Sequence, residues 1–408
     1  MINEYPFWTD PEKDEFSVTI LACTKSETYY EIVIDKEVVR AAGGGQAGDK
    51  GVIQFGDETE KFNDTTRING KLVLLASSPI EPKTAATVKI DMKWRKAMMR
   101  NHTGEHLFVA ATKREHPEIN LGHIWIDGDR GTVDLEGKEL GIEQLIEAEL
   151  SVQNVIEKAI KVETKLVKAS DISSKVRARE GLSGKHEFMR IVEVEGYDSS
   201  ACSGIHVTNT RDIGFFKVVD FKAKDSGSRV TFITGDKAKK IISAIYNEVL
   251  RYKHSYPFEM EQIGEVLGKA KTAADERKLM VEKIVQLIAD GVTSEDIEGI
   301  TFIHEYIPGL DSKAIKTIIK KIKLAGPAAL LLFIPGERST LTLSTNQLPV
   351  DASEYIARNI EEMGGRGGGS RDVYTGGFSD TKVPEEVYSK IVSRLRTRLR
   401  EEGTHISE

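Results

Sequence analysis

The sequence predicts an α+β chain built from more than one domain. Three observations carry that reading: strand-like alternation near the N-terminus, helical periodicity from Trp94 to Lys113, and a return to strand patterns after a long, charged, helix-rich stretch. At roughly 150 residues per domain, 408 residues allow two or three.

Phe16-Ser17-Val18-Thr19-Ile20 and Ile32-Val33-Ile34 read as strands, and Gly43-Gly44-Gly45 with Gly48 marks tight turns, so residues 1–90 form a β-rich unit. Met98, Met99, His102, His106, Val109 and Ala110 then recur at three- and four-residue intervals, the spacing of one helix face. A second helix is predicted from Ile142 to Lys161, with Leu145, Ile146, Leu150 and Val155 among its apolar positions. Leu166 to Gly235 mixes strand patterns such as Met189-Arg190-Ile191-Val192-Glu193-Val194 with turn residues, which makes 91–235 an α+β block. Residues 236–292 read as a helical connector with two arms, since Pro257 interrupts the pattern. In 293–408 a buried-type strand (Ala328 to Ile334), an alternating one (Thr340 to Leu343), a glycine-rich turn and a basic C-terminal helix describe an α/β domain.

Composition excludes several classes. The longest apolar run, Ala328 to Ile334, is far short of the ~18 residues of a membrane span. The N-terminal residues Glu4, Asp10, Glu12, Asp14 and Glu15 are the wrong charge for a targeting segment, so a cytoplasmic protein is expected. Two cysteines, Cys23 and Cys202, cannot build a disulfide framework. With 57 basic against 64 acidic residues the net charge is −7, and any nucleic-acid contact must come from a local patch.

Three motifs carry chemistry. In His102-Thr103-Gly104-Glu105-His106 the histidines share one helix face and could converge on a metal ion, or be an unrelated pair. Glu105 is rotated about 100° from His106 on a helix and stays outside the catalytic set. Cys202-Ser203-Gly204-Ile205-His206 offers thiolate and imidazole around a small turn; the alternative is a buried thiol and a core histidine. Gly43-Gly44-Gly45-Gln46-Ala47-Gly48-Asp49 can bring backbone close to a ligand or serve as a plain hairpin turn.

In this order the three motifs resemble the editing domain of alanyl-tRNA synthetases and of the free-standing alanyl-tRNA editing proteins, AlaX. Met189-Arg190-Ile191-Val192, Asp212-Ile213-Gly214-Phe215, Ser226-Gly227-Ser228-Arg229-Val230 and Thr234-Gly235 fall where that family has similar segments. Gly364-Gly365-Arg366-Gly367-Gly368-Gly369-Ser370-Arg371-Asp372 with Gly376-Gly377 resembles the C-terminal DHHA1-type domain of the same synthetases. The chain is similar to the long form of the free editors and is not expected to make alanyl-tRNA. It departs from the family at Val39-Arg40-Ala41-Ala42, in place of an aromatic-Pro sequence, and at Ser203 and Ile205 within the Cys-x-x-x-His motif.

The resemblance implies an N-terminal small β-barrel-like subdomain, a zinc-binding α/β editing subdomain, a helical connector and a C-terminal α/β domain. It implies hydrolysis, without ATP, of tRNA(Ala) carrying serine or glycine, with one Zn²⁺ per chain held by His102, His106, Cys202 and His206. Gln46 would be catalytic, holding the terminal ribose or the ester, while Gly43, Gly44 and Gly45 would bind substrate, as would Arg229 unless it forms a surface salt bridge. Arg394, Arg398 and Lys320 are candidates for tRNA contact, the first two on the basic helix with Lys390, Arg396 and Arg400, the third in a cluster with Lys313, Lys316, Lys321 and Lys323. Amides of 364–369 could cradle a phosphate. His116, His123, His186, His254 and His304 read as structural. A homodimer through the C-terminal domain is open, and the alternative function is a non-catalytic tRNA-binding or regulatory relative.

Overall fold

The computed structural model describes residues 5–173, 176–177, 187–310, 312–336, 338–379 and 383–406, without the side chains of 289, 312, 313 and 404–406. His186 and the Lys313 side chain lie outside the described residues. Two compact units result, Met1–Ser255 and Tyr256–Glu408, so the division falls between the two arms of the expected connector.

The first unit opens with one helical turn, α1 (Pro6–Thr9), and six strands: β1 (Glu15–Lys25), β2 (Tyr30–Ile34), β3 (Gly51–Phe55), β4 (Glu58–Ile68), β5 (Lys71–Ala76) and β6 (Ala85–Ile90). They close into an antiparallel barrel in the order β1-β2-β5-β4-β3-β6. Inward alternation fixes the register: Phe16, Val18 and Ile20 of β1 meet Ile32, Ile53, Phe62, Leu74 and Val88 in one core. α2 (Met92–Glu115) follows, its first turn capped where Asp91 Oδ1 accepts the Trp94 amide at 3.0 Å.

Next come β7 (Asn120–Ile126), β8 (Gly131–Glu136), α3 (Ile142–Lys158), β9 (Val162–Lys168), β10 (Phe188–Val194), β11 (Asp198–Ala201), β12 (Phe216–Lys224), β13 (Gly227–Thr234) and α4 (Gly235–Ser255). They form a sheet β12-β13-β8-β7 and a smaller sheet β11-β10-β9. α2 runs through the middle of the subdomain, and every residue from Asn101 to Thr112 is buried. Gly104 lets the Phe216 ring lie against the helix, where a Cβ would press on it at 3.0 Å. In Ser226-Gly227-Ser228 the chain enters the sheet at once: Gly227 and Ser228 pair with β8, opposite Glu136 and Leu135.

The second unit contains α5 (Ile263–Gly291), β14 (Ser294–Ile297), β15 (Ile300–Tyr306), α6 (Ser312–Lys321), β16 (Ala328–Ile334), β17 (Arg338–Asn346), α7 (Ala352–Glu362), β18 (Arg366–Ser370), β19 (Val373–Ser379) and α8 (Pro384–Ile406). One sheet, β14-β15-β16-β17-β19-β18, is covered on both faces. That explains the unbroken apolar run of β16. Ala329, Leu331 and Phe333 pack with α7 and α8 residues, whereas Leu330, Leu332 and Ile334 pack with Ala314, Ile315 and Ile318 of α6 and Val285 of α5. The glycine-rich segment is not the turn expected from its composition. Gly367, Gly368 and Gly369 are strand residues of β18, paired with Gly376, Thr375 and Tyr374 of β19, so their geometry is that of a hairpin rather than a phosphate cradle. Among the described residues no helix is long and apolar enough to cross a membrane.

Candidate metal centre

Helical spacing places His102 and His106 one turn apart on α2, and the loop after β11 brings Cys202 and His206 onto them. The four donor atoms all lie within 4.8 Å of one another, in buried or half-buried surroundings. Cys202 Sγ is 3.4 Å from both His102 Nε2 and His206 Nε2.

The partners of the far ring nitrogens set the tautomers. Gln46 Oε1 accepts the Ile205 amide at 3.1 Å, which fixes the orientation of the side-chain amide, and the same oxygen is 3.2 Å from His102 Nδ1. His102 Nδ1 therefore carries the proton. Thr103 donates its hydroxyl hydrogen to the Met99 carbonyl and accepts the Val207 amide, so at 3.2 Å from His206 Nδ1 it can only accept again. Asp198 Oδ2, an acceptor, is 3.3 Å from His106 Nδ1. His102 and His206 thus have Nδ1 hydrogen-bonded and Nε2 turned to the cluster, while His106 Nδ1 makes no hydrogen bond among the described residues and only faces the Asp198 carboxylate.

The buried charges of the cluster act on one another. Burial alone would raise the Cys202 thiol, yet the His102 and His206 imidazoles hold it well below the ordinary range. Burial, then His102, pushes His206 down. Burial also works against protonation of His106, but Asp198 and the Cys202 thiolate overcome it and raise that group to about 10, so a metal taking its Nε2 would displace a proton there. Asp198 is held below the usual carboxylate range despite burial by His106 and Arg177, and Ser200 Oγ donates to it at 2.8 Å.

The glycine-rich loop is built to deliver Gln46. Gly44 and Gly45 have φ of +61° and +84°, and a Cβ on Gly45 would come within 2.8 Å of the Ile124 carbonyl. Ala47 N donates to Ile126 O and Ile126 N to Gly45 O, stitching the loop to β7. Arg40, at the point of departure from the family pattern, donates to the carbonyls of Ala41 and Gly43 at 2.7 Å and of Gln46 and Ala47 at 3.2 Å. Gly204 is required too: a Cβ there would overlap the His102 ring and approach Gln46 Oε1 at 2.7 Å.

Other sequence candidates lie elsewhere. Arg229 makes a two-pronged ion pair with Asp134 across β13 and β8, at 2.6 and 2.8 Å, and this salt bridge occupies the guanidinium assigned to substrate. Arg394 pairs with Glu362 at 2.8 Å and Arg398 with Glu402 at 2.7 Å, so carboxylates compensate much of the basic face of α8. Lys320 is exposed on α6. His304 receives a structural explanation, its Nδ1 lying 2.7 Å from the Tyr388 hydroxyl.

Sequence reasoning missed Asp198, Thr103 and Arg177, and it set Glu105 aside. Glu105 is wholly buried, and its Oε2 is 3.8 Å from His106 Nε2. The 100° rotation counted from the helix axis holds for the backbone, but a side chain with three rotatable bonds reaches back across it.

The family of threonyl and alanyl tRNA synthetase second additional domains matches residues 189–234, which include Cys202 and His206. The chain is 27% identical to the alanyl-tRNA editing protein AlaX-L of Pyrococcus horikoshii, over 97% of this chain and 99% of that protein. It is 23% identical to the alanine–tRNA ligase of Ignicoccus hospitalis and 25% identical to that of Thermofilum pendens, over 96% of this chain in each case. It spans only 43% and 44% of those two ligases, under half of each. The resemblance carried by the motifs is thereby borne out: along nearly its whole length the chain is similar to a long-form alanyl-tRNA editing protein.

Proposed function

We propose that the chain is a trans-editing hydrolase of the cytoplasm that deacylates tRNA(Ala) carrying the wrong amino acid, Ser-tRNA(Ala) first and Gly-tRNA(Ala) second, with one zinc ion per chain. The observation that carries this reading is the convergence of His102, His106, Cys202 and His206, with Nδ1 of His102 and His206 hydrogen-bonded and that of His106 facing the Asp198 carboxylate. Three neutral imidazoles and one thiolate are donors matched to Zn²⁺. The names of the relatives support the substrate class, since one is an alanyl-tRNA editing protein and the others are alanine–tRNA ligases.

When bound, zinc would supply Lewis acidity toward the ester carbonyl or an attacking water. Cys202 serves as a thiolate ligand and not as a nucleophile. Gln46 has two tasks: its Oε1 holds His102, and its Nε2, buried without a partner among the described residues, is the donor left for the ester or the terminal ribose. Gly43 to Gly45 let backbone approach that substrate end. Beyond it, exposed lysines such as Lys320 on α6 are the proposed phosphate contacts.

Purified protein should hydrolyse Ser-tRNA(Ala) and Gly-tRNA(Ala), lose that activity with a chelator, and spare Ala-tRNA(Ala). Cys202→Ala and His106→Ala should lose metal and hydrolysis while still binding uncharged tRNA. A folded Cys202→Ala protein with the parental rate on Ser-tRNA(Ala) would overturn the reading.

A further inference from the structure

We propose that Glu105 is part of the metal centre, its carboxylate supplying, with the Cys202 thiolate, the second negative charge that balances a divalent ion. This rests on the zinc reading above and adds a residue to it.

Among the described residues of this unit four other carboxylate groups are buried, and each is paired with an arginine or a lysine. Asp49 pairs with Arg95, Asp134 with Arg229 and Lys224, Glu149 with Lys217, and Asp198 with Arg177. Glu105 differs. It is 0% exposed, and neither carboxylate oxygen has a hydrogen-bond partner among the described residues. Once a metal takes His106 Nε2 in place of its proton, Glu105 loses that partner, and the metal itself is the cation left to compensate it.

The neighbouring guanidinium groups are already engaged. Arg177 feels the charge of Glu105, but its Nη2 and Nε are 3.1 and 3.4 Å from Asp198. Arg190 donates to the carbonyls of Cys202 and Gly204, and Arg40 to those of the glycine-rich loop. Both stand on the thiolate side of the cluster, where they add positive charge. A divalent ion on three neutral imidazoles and one thiolate would leave the site with a net positive charge, in surroundings that screen it poorly. Glu105 cancels that charge. Its Oε2 is 3.8 Å from His106 Nε2, the atom left facing the cluster, and a carboxylate oxygen is an accepted zinc donor. As the residue before His106 on one helix, it keeps its place relative to that ligand.

The test compares full-length parent, Glu105→Gln and Glu149→Gln. Zn²⁺ affinity is measured by competition with a chromophoric chelator, and thermal denaturation is followed with and without Zn²⁺. Glu105→Gln should bind Zn²⁺ about 10–100-fold more weakly, the effect usual for groups that support a metal shell. Its metal-free form should melt no lower than the parent, because the amide removes an unpaired charge, and the increment in Tm given by Zn²⁺ should shrink. Glu149→Gln should melt lower and keep the parental Zn²⁺ affinity. Equal Zn²⁺ affinity of Glu105→Gln and parent would overturn this proposal while leaving the four-ligand site standing. A metal-free Glu105→Gln protein that fails to fold would overturn it in favour of a structural role. A parent that binds no Zn²⁺ would remove the zinc reading and this inference together.

Discussion

Arg95 and Asp49, 46 positions apart, form an ion pair with both side chains at 0% exposure. Through it the glycine-rich loop is fastened to α2, the helix that carries His102 and His106. Asp49 Oδ2 also accepts the Arg40 amide at 2.6 Å, so one carboxylate holds both the loop and the helix. Removing one partner leaves a buried charge unpaired. Arg95→Met should therefore cost about 3–5 kcal/mol in urea denaturation, far more than loss of an exposed pair such as Lys89–Glu15.

Gln46 meets His102 across 56 positions. Gln46→Ala would leave the Ile205 amide without its acceptor and His102 free to turn. The expected result is zinc affinity lower by about 10–100-fold with little change in secondary structure, read by chelator competition and circular dichroism.

Gly204→Ala tests the same contact from the other side. The added methyl would overlap the His102 ring, so this one-carbon change should lower zinc affinity about tenfold or more. Ser203→Ala, at an exposed neighbour, should leave affinity unchanged.

Asp134 sets an acid limit on stability. Its hydrogen bonds with Arg229, helped by Lys224, lower its pKa from an ordinary 3.8 to about 2. A carboxylate depressed in the folded state contributes stability that is complete above its unfolded pKa and is lost as pH falls through the folded one. Asp134→Asn should accordingly be less stable than the parent by about 1–2 kcal/mol at pH 7, allowing for solvent screening of the half-exposed partners. The gap should close between about pH 4 and pH 2, as thermal melts of both proteins would show.

Paired arginines make weak phosphate ligands. Lys320→Ala should reduce the slope of log affinity for tRNA against log salt by about one, the loss expected for one phosphate contact. Arg394→Ala and Arg398→Ala should change it less, because Glu362 and Glu402 already neutralise those groups.

The sequence made the ligands legible because helical spacing and a compact Cys-x-x-x-His motif are local properties. It also marked the basic helix at the C-terminus, which is α8. What it hid depends on distant partners. Arg229 can be read as a phosphate contact or as a salt-bridge partner, but its partner Asp134 lies on a strand 95 positions earlier, and no local pattern announces it. Glycine has no strand preference of its own, so β18 becomes a strand only because β19 supplies the ladder. Glu105 was hidden for a different reason: a helical wheel records where a side chain starts, not how far it reaches.

The burial of α2 from Asn101 to Thr112 also bears on how fast an ion could be exchanged. A helix enclosed along that length opens only when its unit unfolds, which makes such excursions rare. The Cys202–His206 segment is a loop with Ser203 exposed at its tip. Release would then begin at Cys202 and His206 and leave the two helical histidines in place. Amide hydrogen exchange should be faster through 202–206 than through α2, and the turnover of the ion should keep pace with the loop, long before the protein as a whole comes apart.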